Sequence, residues 1–201
     1  MSPERSFALV RHGETDYNAA RRLNGDPSVP IPLNATGLAQ VEALRSRMAA
    51  LPLDLGVCTR FPRARQTKGI LLDGRDVPRV ICPDLDDVGL GDFEGAPVTE
   101  YRACRDEYGP VARPPGGGES RIDALTRYVR GFESVLGRGE RFPLIVTHDI
   151  PIRFLRNAIA DDDPISGPIR SIDNASLLVV TEAELRHGVE VMRRRLPAAA
   201  T

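Results

Sequence analysis

Phe7-Ala8-Leu9-Val10-Arg11-His12-Gly13-Glu14-Thr15 is the stretch from which the rest of the chain is read. Four apolar residues in a row, Phe7 to Val10, have the composition of a strand covered on both faces, and they stop abruptly at a cation, an imidazole and a glycine. Strands buried on both faces belong to parallel sheets, whose ligand sites lie beyond the carboxyl ends of the strands. Arg11 and His12 thus fall where a ligand binds. Gly13 carries no side chain next to the imidazole, which lets an anion approach the backbone closely.

Short β-rich runs of the same kind recur at Leu55–Cys58, Val80–Cys82, Leu144–Thr147 and Leu177–Val180, and helical periodicities stand between them. Thr36 is the expected N-cap of a helix whose face carries Leu38, Val41, Leu44 and Met48. Arg63 to Leu72 reads as the next helix. Arg121 to Leu136 is the clearest, with Ile122, Leu125, Val129, Phe132 and Leu136 on one side and a Ser120-x-x-Asp123 capping pattern before it. Pro151, suited to a first turn, leads Ile152, Leu155 and Ile159 into a helix directly after the Leu144–Thr147 strand. This alternation predicts an α/β fold, a three-layer α/β/α sandwich with a mostly parallel sheet flanked by helices. Arg113-Pro114-Pro115-Gly116-Gly117-Gly118 is a loop by composition. The segment from Gly95 to Gly118 has too few apolar residues for a core, so it is expected as a small cap inserted over the site within one domain spanning 1–201. The basic, then alanine-rich tail from Met192 to Thr201 is expected to fray.

With 201 residues and 41% hydrophobic content the chain can bury one sizeable core. Lys+Arg 27 against Asp+Glu 28 gives a formal net charge of -1, so no global field draws in nucleic acid or an anionic membrane, and any anion must be recognised locally. Cys58, Cys82 and Cys104 form an odd set without CxxC spacing, which argues against a disulfide framework or a zinc site and fits a reducing cytoplasm. The apolar run at Phe7–Val10 is far too short for a signal segment or a membrane span.

Arg11-His12-Gly13-Glu14-Thr15, with Asn18 one turn further on, resembles the signature of the histidine phosphatase (phosphoglycerate mutase-like) superfamily. Four later segments resemble that family's motifs in the same order: Leu33-Asn34-Ala35-Thr36-Gly37-Leu38-Ala39-Gln40, Thr59-Arg60-Phe61-Pro62-Arg63-Ala64-Arg65-Gln66-Thr67, Gly117-Gly118-Glu119-Ser120 and Ile145-Val146-Thr147-His148. The resemblance covers roughly residues 7 to 180. It implies a phosphoglycerate mutase-like fold and a small phosphatase in which His12 is the nucleophile, Arg11 and Arg63 bind phosphate, and His148 is the second histidine of the pocket. Thr15, Asn18 and Gly13 complete the expected substrate side.

The residue types support that chemistry on their own. A neutral imidazole is a competent nucleophile near neutral pH, arginine forks match phosphate oxygens and stay charged, and a second histidine adds a donor for developing charge. No metal and no other cofactor is expected. The leaving oxygen needs a proton, and here the chain departs from the family: aspartate, Asp87, stands where glutamate is usual, one methylene shorter. Asp149, directly after His148, resembles the His-Asp pair of the acid phosphatase branch and is the alternative acid. Asp87 is preferred.

Plainer roles are also open. Asp87 belongs to an acidic loop with Asp84 and Asp86, Asp149 can cap the following helix, and Arg63 sits among Arg60, Arg65 and Lys68 on a helix face. Glu119 and Ser120 read as capping residues, Glu94, Asn18 and Thr15 as supporting groups, His187 as a surface residue and Arg193-Arg194-Arg195 as a solvated run. Two other functions compete: a phosphoglycerate mutase, and a catalytically weak module that binds phospholigands. The expected partner is a small phosphorylated metabolite, and the oligomeric state is open, a homodimer included. Tyr101, Arg102, Arg105 and Arg113 are the cap residues placed to meet the leaving group; arginines facing the pocket there would imply a second acidic group on it.

Overall fold

A computed structural model of the chain describes residues 4–197, with the side chains of Arg105 and Tyr108 outside that description. The strands are β1 (Ser6–Arg11), β2 (Leu55–Cys58), β3 (Arg79–Ile81), β4 (Pro143–Thr147) and β5 (Leu177–Thr181). The helices are α1 (Asp16–Ala19), α2 (Ala35–Arg47), α3 (Pro62–Leu71), α4 (Val98–Tyr108), α5 (Arg121–Leu136), α6 (Asp149–Ile159) and α7 (Glu182–Arg194), with 3-10 turns at Pro83–Leu85 and Gly91–Phe93. The sheet order is β3-β2-β4-β1-β5. β1, β2, β3 and β4 run parallel, and only the pairing of β5 with β1 is antiparallel.

β1 shows why both faces must be covered. Phe7 and Leu9 pack into one core with Ile145 of β4 and with Leu125, Tyr128, Phe132, Leu155, Leu185 and Met192 of α5, α6 and α7. Ala8 and Val10 point the other way, into a second core with Leu144 and Val146 of β4 and Val41, Leu44, Ala64 and Leu71 of α2 and α3. The period of two along each strand therefore feeds two helical layers at once, which is the expected three-layer α/β/α arrangement.

Three local expectations need correction, and the segment expected as a cap gains a helix. The N-cap of α2 is Asn34, whose side chain accepts from the Gly37 amide at 2.8 Å, so the helix starts two residues before the position that Thr36 suggested. α6 starts at Asp149 with His148 as its N-cap, which places Pro151 third, still inside the turn whose amides have no helical acceptor. The cap segment contains a helix of its own, α4. The expected fraying from Met192 is wrong as far as the described residues go: α7 continues to Arg194 and Met192 is fully buried, while 198–201 lie outside them. Leu185, Val189 and Met192 supply the apolar stripe at helical spacing, and Thr181 and Glu184 close a capping box at 3.2 and 2.7 Å.

One arginine ties the start of β1 to the end of α5. The Arg5 guanidinium donates to the carbonyls of Leu136 (2.9 Å) and Val135 (3.3 Å) in the last turn of α5 and of Arg138 (2.8 Å) and Glu140 (2.7 Å) in the turn that follows it. It also stacks over Phe7 at 4.8 Å. Replacing Arg5 by Ala should lower stability by about 2 kcal/mol, measured as a fall in the urea midpoint with an unchanged m-value. A midpoint equal to that of the parent protein would refute the clamp.

Candidate active site

Sheet register brings the two histidines together. Arg11 is opposite Thr147 in the parallel β1–β4 pair, so His12 and His148 leave the sheet side by side. The His12 amide donates to the Thr147 carbonyl at 3.1 Å, and the imidazole centroids are 5.2 Å apart in an edge arrangement. Both rings are buried, at 2% and 0% exposure. β2 contributes from the same edge. Its continuation through Thr59 and Phe61 turns into α3 at Pro62, and Arg63 follows in the first helical turn, where backbone amides favour anions.

Arg63 is the hub. Its Nε donates to His12 Nε2 at 3.0 Å and its Nη2 to His148 Nδ1 at 3.3 Å, while Phe61 lies flat beneath the guanidinium at 4.2 Å. On the far side, Asn24 receives Nη1 on its side-chain oxygen and Nη2 on its carbonyl at 3.0 Å. Asn24 is held in turn by Glu94, whose carboxylate accepts from the Asn24 amide group at 2.8 Å and from the Gly25 and Asp26 backbone at 2.7 and 3.0 Å. Hydrogen bonds also set the tautomers. His12 Nδ1 donates to the Gly13 carbonyl at 2.7 Å, leaving the Nε2 lone pair facing the cleft; His148 Nε2 donates to Thr59 Oγ1 at 3.0 Å, leaving Nδ1 toward the cleft.

Burial, then the charges of Arg63 and Arg11, hold both imidazoles well below the ordinary histidine range, so both are neutral near pH 7. Burial brings Arg63 down to about 10, which still leaves it charged. Arg11 donates through Nη1 to the Ile172 carbonyl, and its buried Nε–H has no acceptor among the described residues. A buried donor left unpaired is costly, and an anion in the cleft would satisfy it.

Asp87 reaches the same point: its Oδ2 is 3.6 Å from both Arg63 Nη2 and His148 Nδ1. Burial raises its carboxyl above the ordinary aspartate range, against the opposing pull of Arg63. The loop that carries it is clamped from α5. Arg127 donates to the carbonyls of Asp84 (3.1 Å), Asp86 (2.9 Å) and Asp87 (2.9 Å), and Glu119 pairs with Arg127 at 2.6 Å while accepting from the Gly89 amide at 2.8 Å. Glu119 is therefore a loop anchor, whereas Ser120 is the N-cap of α5, accepting from the Asp123 amide at 3.0 Å. Asp149 is engaged differently. One oxygen accepts from the Ile172 amide at 2.7 Å and the other is 3.5 Å from Arg153.

The remaining expected residues lie in the wall of the cleft or just behind it. Thr15 and Asn18 lock each other in a capping box over α1, and Asn174 donates to the His12 carbonyl at 3.0 Å and to Asn18 at 3.3 Å. Packing gives Gly13 a reason of its own. A Cβ there would meet the Gly37 carbonyl oxygen at 2.7 Å, and its own amide already donates to Thr67 Oγ1 at 3.2 Å. Asn24, Thr59, Phe61, Thr67 and Asn174 were not singled out from sequence; Thr59, Phe61 and Thr67 lie inside the quoted motif around Arg63, which was the available signal.

The cleft over these groups holds about 340 Å³ and is lined by Arg11, His12, Arg63, Asp87 and Asp149, with Val98 and Arg102 of α4 on the cap side. Among the described residues no three histidine, cysteine or carboxylate side chains cluster as a metal site, and no helix is long and apolar enough to cross a membrane.

Comparison with known proteins finds relatives in both sequence and fold. An adenosylcobalamin/α-ribazole phosphatase of Salmonella typhimurium is 41% identical over 137 residues, a match that covers 64% of this chain and 65% of that protein. The Bacillus subtilis phosphatase PhoE is 31% identical over 183 residues, 89% of each chain. The chain thus spans about two thirds of the first relative's length and nearly all of the second's. Among solved structures, the α-ribazole phosphatase of Shigella flexneri aligns with a TM-score of 0.76 at 25% identity, over 87% of this chain and 89% of that one. YhfR of Bacillus stearothermophilus aligns with a TM-score of 0.72 at 27% identity, over 91% and 98%. The sequence pattern of the histidine phosphatase superfamily (branch 1) matches residues 7–194, and the chain belongs to that superfamily.

Proposed function

We propose that the protein hydrolyses small alkyl phosphate monoesters through a phosphohistidine on His12, with Asp87 as proton donor. One observation carries the reading: Arg63 bonds both His12 Nε2 and His148 Nδ1, which brings one guanidinium and two neutral imidazoles together, and the unpaired Arg11 donor belongs to the same cleft as His12 and Arg63. A phosphoryl group entering there takes over the donors of Arg11 and Arg63, and the His12 Nε2 lone pair faces phosphorus.

In the first step the Nε2–P bond forms, the ester P–O bond breaks, and the leaving oxygen takes the proton of the Asp87 carboxyl. In the second, water attacks phosphorus, gives its proton to the Asp87 carboxylate, and the Nε2–P bond breaks to release phosphate. The raised Asp87 carboxyl and the lowered His12 imidazole suit these roles, because one must be protonated while the other is not. Asp149 is a weaker candidate for the acid, since it is committed to Ile172 and Arg153. The family membership and the named phosphatase relatives support a phosphatase acting on a small phosphorylated metabolite.

Replacing His12 by Ala should remove turnover of p-nitrophenyl phosphate and of alkyl phosphates by about 10,000-fold or more; retained activity in that variant would sink the proposal. Asp87→Asn should cost alkyl esters about 100-fold or more while leaving the aryl ester, whose leaving group needs little protonation, within about tenfold; Asp149→Asn reversing that order would move the acid to Asp149. For alkyl esters, kcat/KM should fall as pH rises through the elevated Asp87 value, because the proton to be donated is lost, and fall at acid pH as His12 gains a proton. A pH profile of alkyl turnover with no basic limb would speak against Asp87. Asn24→Ala, which frees the guanidinium of Arg63, should lower kcat/KM about 100-fold; parental kinetics would exclude that support.

A further inference from the structure

Three side chains of α6 leave the helix along one line and end on the same stretch of chain. Asp149, Arg153 and Asn157 follow one another at single-turn spacing. Asp149 Oδ1 accepts from the Ile172 amide at 2.7 Å, and Arg153 Nη1 donates to the Arg170 carbonyl at 2.5 Å. Asn157, fully buried, accepts from the Ile169 amide at 3.1 Å and donates to the Pro164 carbonyl at 3.2 Å. The connection from α6 to β5 is thereby zipped onto the helix that begins beside His148.

The far side of this connection meets the end of β1. Ile172 gives its carbonyl to Arg11 Nη1, Asn174 donates to the His12 carbonyl at 3.0 Å, and the Ala175 amide is 3.1 Å from the carbonyl oxygens of both Arg11 and His12. Residues 169–175 thus form a strap from α6 to the site, and Ile172 is its pivot. Its side chain is buried in the first core, so what remains to be set is the direction of its backbone groups. Two charged side chains set it: Asp149 accepts from the N–H and Arg11 donates to the C=O.

This division governs how Arg11 presents itself. A guanidinium binds phosphate best as a fork, through two N–H bonds on one edge. With Nη1 spent on Ile172, the edge that remains is Nε with Nη2, and Nε is the buried donor without an acceptor among the described residues. Asp149 lines the same cleft, yet its oxygens are turned to the strap and to Arg153, the next rung, at 3.5 Å.

We propose that Asp149 is a positioning residue for phosphate binding: it fixes Ile172, whose carbonyl holds Arg11 Nη1 and turns the Nε–Nη2 edge of Arg11 toward the phosphoryl group. Asp149 neither gives nor takes a proton in this role. The inference rests on the phosphatase reading above and adds the strap to its binding machinery.

The experiment measures KM and kcat for p-nitrophenyl phosphate and for an alkyl phosphate, and the competitive inhibition constant of inorganic phosphate, in the parent protein, Asp149→Ala and Asp149→Asn. In Asp149→Ala, kcat/KM should fall about tenfold or more for both esters alike, through KM more than kcat, and the phosphate inhibition constant should rise about tenfold. Asparagine keeps an oxygen for the Ile172 amide, so Asp149→Asn should stay within about threefold of the parent in every constant. In an Arg11→Lys background, where no Nη1 is left to hold, Asp149→Ala should cost less than about threefold. KM and the inhibition constant do not depend on how much of a sample is folded.

Parental constants in Asp149→Ala would overturn the inference even if the urea midpoint fell, since the contact would then serve stability alone. Additive losses with Arg11→Lys would overturn it too, and so would an Asp149→Asn variant that loses alkyl turnover only, which would make Asp149 the acid. Should Asp149→Ala give no folded protein, Asp149→Ser, too short to reach Ile172, is read in the same way. If no ester is hydrolysed, the phosphatase reading fails by itself, and calorimetric titration with inorganic phosphate decides the role of Asp149. Binding about tenfold weaker in Asp149→Ala and near parental in Asp149→Asn supports it, and equal binding by all three proteins overturns it.

Discussion

Parallel pairing of β1 with β4 is the constraint on which the site depends. Arg11 opposite Thr147 means that two residues 136 positions apart in sequence, His12 and His148, emerge together at one sheet edge, each as the first residue beyond its strand. A slip of one residue in this register would turn the inward-facing residues of β4 from one core to the other, so the two hydrophobic layers police the position of the imidazoles. Stability and geometry are thus set by the same alternation. The site needs no separate scaffold.

A second theme is the use of arginine to hold backbone. Arg5 gathers the last carbonyls of α5, Arg75 takes those of Met48, Ala49 and Leu51 after α2, and Arg127 takes three from the loop around Asp87. A planar fork with five donors can satisfy several acceptors at once, which a lysine ammonium on a flexible stem does poorly. The chain uses this freely: among its basic side chains Lys68 is the one lysine. Near the cleft the same residue type changes task, from holding carbonyls to facing a ligand. A formal net charge of -1 over the whole chain therefore coexists with a strongly cationic cleft.

Much of this was legible in the sequence. The strands were readable from short apolar runs; Arg11, His12, Arg63 and Asp87 line one cleft, and His148 is buried against Arg63 and Asp87 behind it. What escaped had physical reasons. α7 hides its stripe of Leu185, Val189 and Met192 among charged residues that face solvent, and α4 has a mixed composition that acquires meaning only against the cleft. The cap of α2 was misplaced because Asn34 and Thr36 are both competent caps, and only the backbone decides between them. Asn24 could not be read at all. It is one polar residue in a loop, and its importance comes from a bond to Arg63, 39 positions away. The close approach of α2 at Gly37, which also requires a glycine at position 13, could not be read from the sequence.

The strand order has a consequence for how the protein is made. β4 lies between β2 and β1, yet it is synthesised after both, with five helices already behind it. Until residues 143–147 leave the ribosome, β1 and β2 lack the partner that joins them, and their apolar edges stand open to wrong neighbours. Contacts of such long sequence separation close slowly. The nascent chain should therefore depend on chaperone protection during this interval, and the histidine pair exists only once the central strand has been inserted.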